Sequence, residues 1–483
     1  MMGKKDKQQE FVAHLTPREE DFSQWYTDVI LKTDLVDYAP VRGCMVIKPY
    51  GYGIWELIQQ EMDRRFKESG HKNVYFPMLI PESLLRKEAE HVEGFAPEVA
   101  WVTQGGSEVL QEKLVIRPTS ETLFCAMYAK WVQSWRDLPM KYNQWCSVLR
   151  WEKSTRPFLR TSEFLWQEGH TIHETAEEAQ EETLQMLEIY RECAENVLAL
   201  PTFVGQKSDK EKFAGARATY SMEAMMQDGK ALQAGTTHNF GTNFAEAFQI
   251  QFLSREGKLE YVHETSWGVS TRLIGAIVMT HGDERGLRLP PRVAPIQVVI
   301  LPIAQHKEGV LDRARALAAE LKAVGIRVEL DDRDTYSAGW KFNEWEMKGV
   351  PVRLELGPRD IENGVATFMR RDTLEKGTLP LEGIGDALKA LLDDIHLTLY
   401  RQADEFRKAR TYTAVTLDEL VEGVQDGFVK ASWCGERDCE DKIKELTNAT
   451  SRNMPFDQDG MPSETCVCCG KPAKKLMYFA KAY

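Results

Sequence analysis

Arg150-Trp-Glu-Lys-Ser-Thr-Arg-Pro-Phe-Leu-Arg-Thr161, running on into Ser162-Glu-Phe164-Leu-Trp-Gln-Glu168, is the stretch whose reading decides the fold. Arg150 and Glu152 are two apart, so an extended strand turns both side chains to one face. A short polar turn containing Pro157 follows. Arg160, Phe164, Trp166, Glu168 and His170 then fall on alternate positions of a second run. As a β-hairpin the segment gathers two arginines, two carboxylates and two aromatic rings on one sheet surface. Such a surface suits a nucleotide: guanidinium groups for phosphates, a ring for the base, a carboxylate for its exocyclic amine. The same pattern also describes an amphipathic hairpin whose charged face is merely solvated, and the rest of the chain has to decide between them.

At 483 residues the chain is too long for one core and predicts about three domains. A 43% apolar and 28% charged composition is that of a soluble globular protein. The clean apolar run Leu273–Met279 is far shorter than a membrane span, and the first fifteen residues lack the apolar core of a signal peptide. Nine cysteines, an odd number spread over a long chain, do not form a disulfide framework and point to a reducing cytoplasm. A net charge of −13 argues against a nonspecific polyanion binder but leaves room for RNA on a local basic surface.

Residues 22–69 read as helices interrupted near Tyr38–Pro40. Ile54, Leu57, Ile58, Met62 and Phe66 have helical spacing, and Gly70 follows as a stop. Val74–Ile80 reads as a strand interrupted by Pro77, suited to an edge or interface. Residues 174–195 predict a long helix with a Glu-rich exposed face, and strands dominate from about 203 to 272. The pattern changes at Pro290–Pro295. Beyond it, Ile296–Ile303, a helix over 307–324 and Arg327–Leu330 give a β-α-β rhythm with a parallel sheet, extended by Val352–Leu356 and Ala366–Arg370. Residues 385–430 read as helical and charged. The expected domains are 1–290, 294–395 and 400–483: an α+β domain with an antiparallel sheet, an α/β domain and a small α/β domain.

Four residues lie between Cys434 and Cys439, two between Cys466 and Cys469, and 26 between the pairs. This spacing suits a tetrahedral thiolate zinc site, with Gly435 and Gly470 offering the tight turns. No ligand is left to hold an activated water, so the site is expected to be structural. Cys468 is a fifth thiol, and spacing alone does not decide which of the five bind. Cys44, Cys125, Cys146 and Cys193 have no close partner and are expected in the core.

The hairpin resembles the second motif of class II aminoacyl-tRNA synthetases: Arg-x-Glu, a loop, then Arg-x-x-x-Phe-x-x-x-acid, matched by Arg150, Glu152, Arg160, Phe164 and Glu168. Gly70–Pro77 resembles the dimer-interface motif of that class. Gly268-Val-Ser-Thr-Arg272 looks like its third motif in reduced form. Arg117-Pro-Thr-Ser-Glu121, Trp166-Gln-Glu-Gly-His170, Gln233-Ala-Gly-Thr-Thr-His238 and Thr265-Ser-Trp-Gly268 resemble the prolyl-tRNA synthetase family. The cysteine-bearing tail ending on Tyr483 is similar to its archaeal/eukaryotic-type architecture. The resemblance covers essentially the whole chain.

The resemblance implies a class II catalytic domain, an anticodon-binding domain and a C-terminal zinc-binding domain. It also implies ATP-dependent activation of L-proline to prolyl-adenylate and transfer to tRNA(Pro) by a cytoplasmic homodimer without membrane partners. Arg150 would bridge the proline carboxylate and the α-phosphate. Glu152 would accept from the adenine amino group, Phe164 and Arg272 would sandwich the ring, and Arg160 and Thr161 would grip the phosphate end. Gln233 and Thr236 would hold the ribose. Glu121, with Thr119 beside it, would receive the imino group of proline. His238, Trp166 and Ser270 are candidates for the pocket wall and floor, Ser270 also for ATP. Mg²⁺ would bridge the phosphates, with its protein carboxylate sought between Glu223 and Gln233. Zn²⁺ would take Cys434, Cys439, Cys466 and Cys469.

Only about a hundred residues separate His170 from Arg272, too few for the editing insertion of some family members. Arg333, Lys341, Glu344, Arg353 and Arg359 are candidates for anticodon contacts, and the carboxylate of Tyr483 is expected to fold back near the active site. Two alternatives stand beside this reading. Another class II synthetase would leave Arg117–Glu121 together with Trp166–His170 unexplained. An inactive RNA-binding paralogue usually loses an ATP-contacting residue, and here none is lost.

Overall fold

The structure is a computed structural model that describes residues 15–91 and 98–483. Most of the amino-terminal stretch read above for a leader lies outside them.

An eight-stranded sheet organises the first part of the chain. In chain order its strands are β1 (Lys72–Asn73), β2 (Met140–Leu149), β3 (Glu163–His173), β4 (Thr202–Gln206), β5 (Ala218–Met225), β6 (Ala231–Gly241) and β7 (His263–Ser270), with an eighth from the C-terminal segment. They lie in the order β4-β5-β6-β7-β3-β2-β1, antiparallel except for the β1–β2 pair. Helices α1 (Phe22–Lys32), α2 (Pro49–Glu68), α3 (Glu121–Trp131), α4 (Ala176–Asn196) and α5 (Arg272–His281) accompany it. On α2 the buried residues Ile54, Ile58, Met62 and Phe66 recur every fourth position, so one stripe faces the core. Phe66 meets Trp267 and Tyr190 there, at ring distances of 5.2 and 6.3 Å. Helix α4 starts where Thr175 Oγ1 accepts from the Glu178 amide at 3.1 Å. Its acidic face is not all exposed: Glu182 is buried against His71 and Lys141.

Strands β2 and β3 are the expected hairpin, but the connection is longer than the alternation implied. β2 ends at Leu149 and β3 begins at Glu163, so Arg150, Glu152 and Arg160 stand on the connection. The Arg150 amide donates to Ser162 O at 2.8 Å, after which the chain folds back on itself between Arg156 and Arg160. Pro157 has no amide to give to a ladder, and Phe158 takes a positive φ of 60°. Val74–Ile80 is also not one strand. Only Lys72–Asn73 and Leu79–Pro81 pair, in two different sheets, with Pro77 in the gap between them. The interruption near Tyr38–Pro40 is a small antiparallel ribbon of Val36–Tyr38 and Met45–Ile47.

The second sheet holds β8 (Val298–Pro302), β9 (Val328–Leu330), β10 (Val352–Leu356), β11 (Val365–Arg370) and β12 (Lys376–Pro380), in the order β9-β8-β10-β11-β12. The first three are parallel, as the β-α-β rhythm requires, and the last two antiparallel. Helices α6 (Val310–Ala323) and α7 (Ile384–Ala409) bury apolar faces in its core. The helix expected over 385–430 stops at Ala409. A strand β13 (Thr411–Ala414), a helix Leu417–Gly423 and strand β14 (Phe428–Trp433) follow. With β15 (Thr450–Ser451) and β17 (Lys475–Ala480) they make a third sheet, β13-β14-β17-β15, flanked by α8 (Arg437–Thr447). β16 (Met454–Pro455) leaves that sheet and pairs with β4, adding an eighth strand to the first one.

Candidate active site

A cavity of about 260 Å³ opens on the large sheet. Phe164, Trp166, Glu168 and His170, alternate on β3, all line it, as the period-two reading requires. Gln167 turns the other way, where Tyr190 Oη donates to it at 2.7 Å and it donates to Trp267 O at 3.3 Å. Gly169 is a glycine for a local reason: a Cβ there would stand 2.2 Å from the Trp267 ring on the neighbouring strand. Thr119, Glu121, Arg150, Gln233, Thr236, His238, Ser270 and Arg272 complete the set that the structure brings together. Glu152, Arg160 and Thr161 are not among the lining residues. Glu152 and Arg160 face each other across 3.9 Å on the connection, within electrostatic reach of Arg272, and Thr161 lines a neighbouring apolar hollow with Phe164.

Glu168 is the hub beneath the cavity. It accepts from Ser120 Oγ at 2.6 Å, the Ser120 amide at 3.0 Å, Gln144 Nε2 at 3.1 Å and His170 Nε2 at 2.9 Å. Burial alone would raise its pKa, but the bonds from His170 and Ser120 outweigh it and hold the carboxyl at about 2. His170 is pushed the other way: burial lowers it, the contact with Glu168 more than restores it, and the net shift is upward. The pair pins Thr119-Ser120-Glu121 to the sheet. Thr119 Oγ1 donates to the buried Glu121 carboxylate. Glu264 lies deeper, and burial raises its pKa to about 8.

Both guanidinium groups are tethered by backbone oxygens. Arg150 Nε donates to Pro118 O at 3.1 Å, and its head lies 5.5 and 5.3 Å from the Phe164 and Trp166 rings. Arg272, the first residue of α5, donates to Leu159 O at 3.1 Å and Gln233 O at 3.3 Å. Burial, then Arg150 and Arg160, lower its pKa to about 10, which leaves it charged at pH 7. His238 Nδ1 lies 2.9 Å from Thr219 Oγ1, and burial depresses it to about 3, so the ring is neutral.

Several expected placements are corrected. Glu223 is buried and bonded to Lys207 at 2.9 Å and Arg452 at 2.8 Å, and Asp228 is bonded by Lys230 at 2.8 Å and Tyr483 Oη at 2.6 Å. Both carboxylates of the 223–233 stretch are therefore engaged by protein cations or a hydroxyl. Among the anticodon candidates, Lys341 is buried and donates to Asp331 O at 3.0 Å, and Arg353 is buried on Glu355 at 2.9 Å. Arg333 pairs with Asp331 and Glu344, its head 5.0 and 5.4 Å from the Tyr336 and Trp340 rings, while Arg359 is exposed. Cys125 and Cys193 are buried, but Cys44 and Cys146 only partly. Tyr483 does fold back on the first sheet: its amide donates to Ala231 O at 3.1 Å.

Cys434, Cys439, Cys466 and Cys469 place their sulfurs within 4.8 Å of one another, with contacts of 3.6, 3.8 and 4.0 Å. Tetrahedral thiolates about 2.3 Å from zinc stand about 3.8 Å apart, whereas a disulfide would need about 2.05 Å. The donor set and spacing fit zinc, and Cys468 stays outside the cluster. Gly435 and Gly470, at φ of +89° and +71°, make the turns that only glycine takes freely.

Residues 102–281 match the tRNA synthetase class II core domain (G, H, P, S and T), 297–391 the anticodon binding domain, and 417–483 the prolyl-tRNA synthetase C-terminal domain. A Proline--tRNA ligase of Alkaliphilus oremlandii and one of Acetoanaerobium sticklandii are each 65% identical to the chain, over 100% of both partners. Proline--tRNA ligase 2 of Clostridioides difficile is 61% identical over the same span. The chain belongs to the prolyl-tRNA synthetase family. The motif-based resemblance is borne out, and with it the class II fold.

Four further residues of this prolyl-tRNA synthetase-family cavity carried no motif signal: Lys207, Glu211, Phe213 and Thr219. Only the register that sets Thr219 opposite His238 on β5 and β6 brings them in.

Proposed function

We propose that the chain activates L-proline with ATP and transfers the prolyl group to tRNA(Pro). The full-length 65% identity to proline--tRNA ligases carries this reading. The proline carboxylate attacks the α-phosphorus of ATP and pyrophosphate leaves. The terminal ribose hydroxyl of the tRNA then attacks the carbonyl of the adenylate, and AMP leaves. Both reactants of the first step are anionic, so orientation and charge neutralisation dominate.

Arg150 spans the carboxylate and α-phosphate with its fork. Glu121, held by Thr119, receives the imino group, and Trp166, His238 and Ser270 wall the ring. Phe164 and Arg272 take the adenine, Glu152 its amino group, Arg160 and Thr161 the distal phosphates, and Gln233 and Thr236 the ribose. Mg²⁺ supplies further neutralisation on the phosphates when bound.

Proline-dependent ATP–pyrophosphate exchange is the test. Exchange with threonine or histidine but not proline would sink the reading, and none with any amino acid would favour an RNA-binding role.

The same reading gives Cys434, Cys439, Cys466 and Cys469 a structural zinc. Metal analysis of the purified protein should find a single zinc per chain, and Cys434→Ser should lose it and melt at lower temperature. Full zinc retention in the variant would remove the assignment. A cytoplasmic homodimer fits the absence of any disulfide among the described cysteines and the exposed Tyr75, Met78 and Leu79 around Pro77. Among the described residues no helix is long and apolar enough to cross a membrane.

A further inference from the structure

Side chains of the C-terminal segment grip the cavity wall from behind. Arg452 donates to one oxygen of Glu223 at 2.8 and 3.3 Å, and the other oxygen accepts from Lys207 Nζ at 2.9 Å. All three are buried, and Lys207 lines the cavity. One buried carboxylate thus serves two cations, an arrangement of little worth as a stabiliser because desolvation offsets the attraction.

Its geometry points into the site. The Lys207 amide donates to Thr219 O at 2.8 Å, and Thr219 Oγ1 accepts from the Phe213 amide at 3.0 Å and lies 2.9 Å from His238 Nδ1. The residues after Lys207 are held too. Ser208 Oγ donates to Glu440 at 2.6 Å, and Lys210 pairs with Asp441 at 2.6 Å. Glu440 and Asp441 directly follow Cys439 in α8, so the cysteine cluster anchors the helix that makes these contacts.

We propose that Arg452 and Glu440 are positioning residues for the part of the cavity closed by Phe213 and His238, through which the C-terminal segment sets affinity for the amino acid. The inference rests on the reading of that cavity as the proline site. The adenine end is built on Phe164 and Arg272, to which none of these hydrogen bonds runs; Glu223 reaches Arg272 only through its charge, so loosening the clamp should be felt mainly by the amino acid.

Steady-state proline-dependent ATP–pyrophosphate exchange by the full chain tests it. Arg452→Met and Glu440→Gln should raise KM for proline about 2- to 30-fold. KM for ATP and kcat should stay within about twofold. Arg452→Lys should recover part of the loss. Lys207→Met combined with Arg452→Met should depart from the sum of the single effects, because both cations act through Glu223. If Arg452→Met does not fold, Glu440→Gln and Arg452→Lys decide. Equal rises in both KM values, or unchanged KM values with a lower melting temperature, would overturn the inference, leaving the clamp as support for the fold. A wild type with no proline-dependent exchange would instead sink the functional reading, and the inference with it.

Discussion

Arg150→Lys should lower kcat/KM for proline-dependent ATP–pyrophosphate exchange by about 10²- to 10³-fold, the scale of losing a positioned donor to a developing charge. The substitution keeps the charge and removes the fork. In the structure Arg150 spends Nε on Pro118 O and its head packs against both the Phe164 and Trp166 rings. Its terminal N–H groups are thereby left to reach two anionic oxygens at once. A lysine ammonium cannot donate to that carbonyl and still present a planar pair of donors. The folded state should lose little, since neither the strand pairing nor the core depends on this head group. Exchange within about tenfold of wild type would mean that charge alone, without the fork, serves the reaction.

Glu168→Gln should cost about 3 kcal/mol of stability at pH 7 and raise KM for proline, although the residue forms the floor and not the face of the cavity. An amide presents one acceptor where the carboxylate has two. Its NH₂ would then face Ser120, Gln144 or His170, all of which donate to Glu168. Thr119 and Glu121 flank Ser120, so a shift there misplaces the group proposed to receive the imino nitrogen.

The pH dependence has a definite sign. The folded pKa is about 2 against an ordinary 4.5, so the carboxylate's contribution is complete above pH 4.5 and is lost as pH falls towards 2. His170, shifted upward, contributes below 6.5 and loses its contribution as pH rises through its folded value. The melting-temperature gap between wild type and Glu168→Gln should therefore be widest between these limits and close below pH 4.5. A gap that stays constant down to pH 3 would show that Glu168 is not held as an ionised hub.

Much of the site could be read from residues alone because strand alternation is strict. Once Phe164, Trp166, Glu168 and His170 are placed on one strand, the two-residue period assigns all four to one face, and the structure puts all four on the cavity. The cysteine spacing was legible for a similar reason: two close pairs need only a turn at each glycine to bring four sulfurs together. The ends of elements were not. Arg150 and Glu152 look like strand residues by spacing, but the strand stops at Leu149: past Arg150 the amides turn elsewhere, as with Trp151 to Glu98, and the connection folds back on itself between Arg156 and Arg160. Lys341 and Arg353 look like free surface cations, but acidic neighbours brought close by the fold take both into the interior.

The sequence by itself determined the class of fold, through the motifs of the class II resemblance, the shared face of Phe164, Trp166, Glu168 and His170, and the gathering of cysteines near the C-terminus. The last two rest on local spacing along the chain, which strand periodicity and tight turns convert directly into geometry. Only the tertiary structure decided that Glu168 is the buried hub of the 119–121 loop. It alone also decided that Glu223 is taken by Lys207 and Arg452, and that the C-terminal segment adds an edge strand to the first sheet. These depend on pairings between residues far apart in the chain, from 48 positions for Ser120 and Glu168 to 229 for Glu223 and Arg452, and no periodicity in the chain encodes which buried charge will meet which.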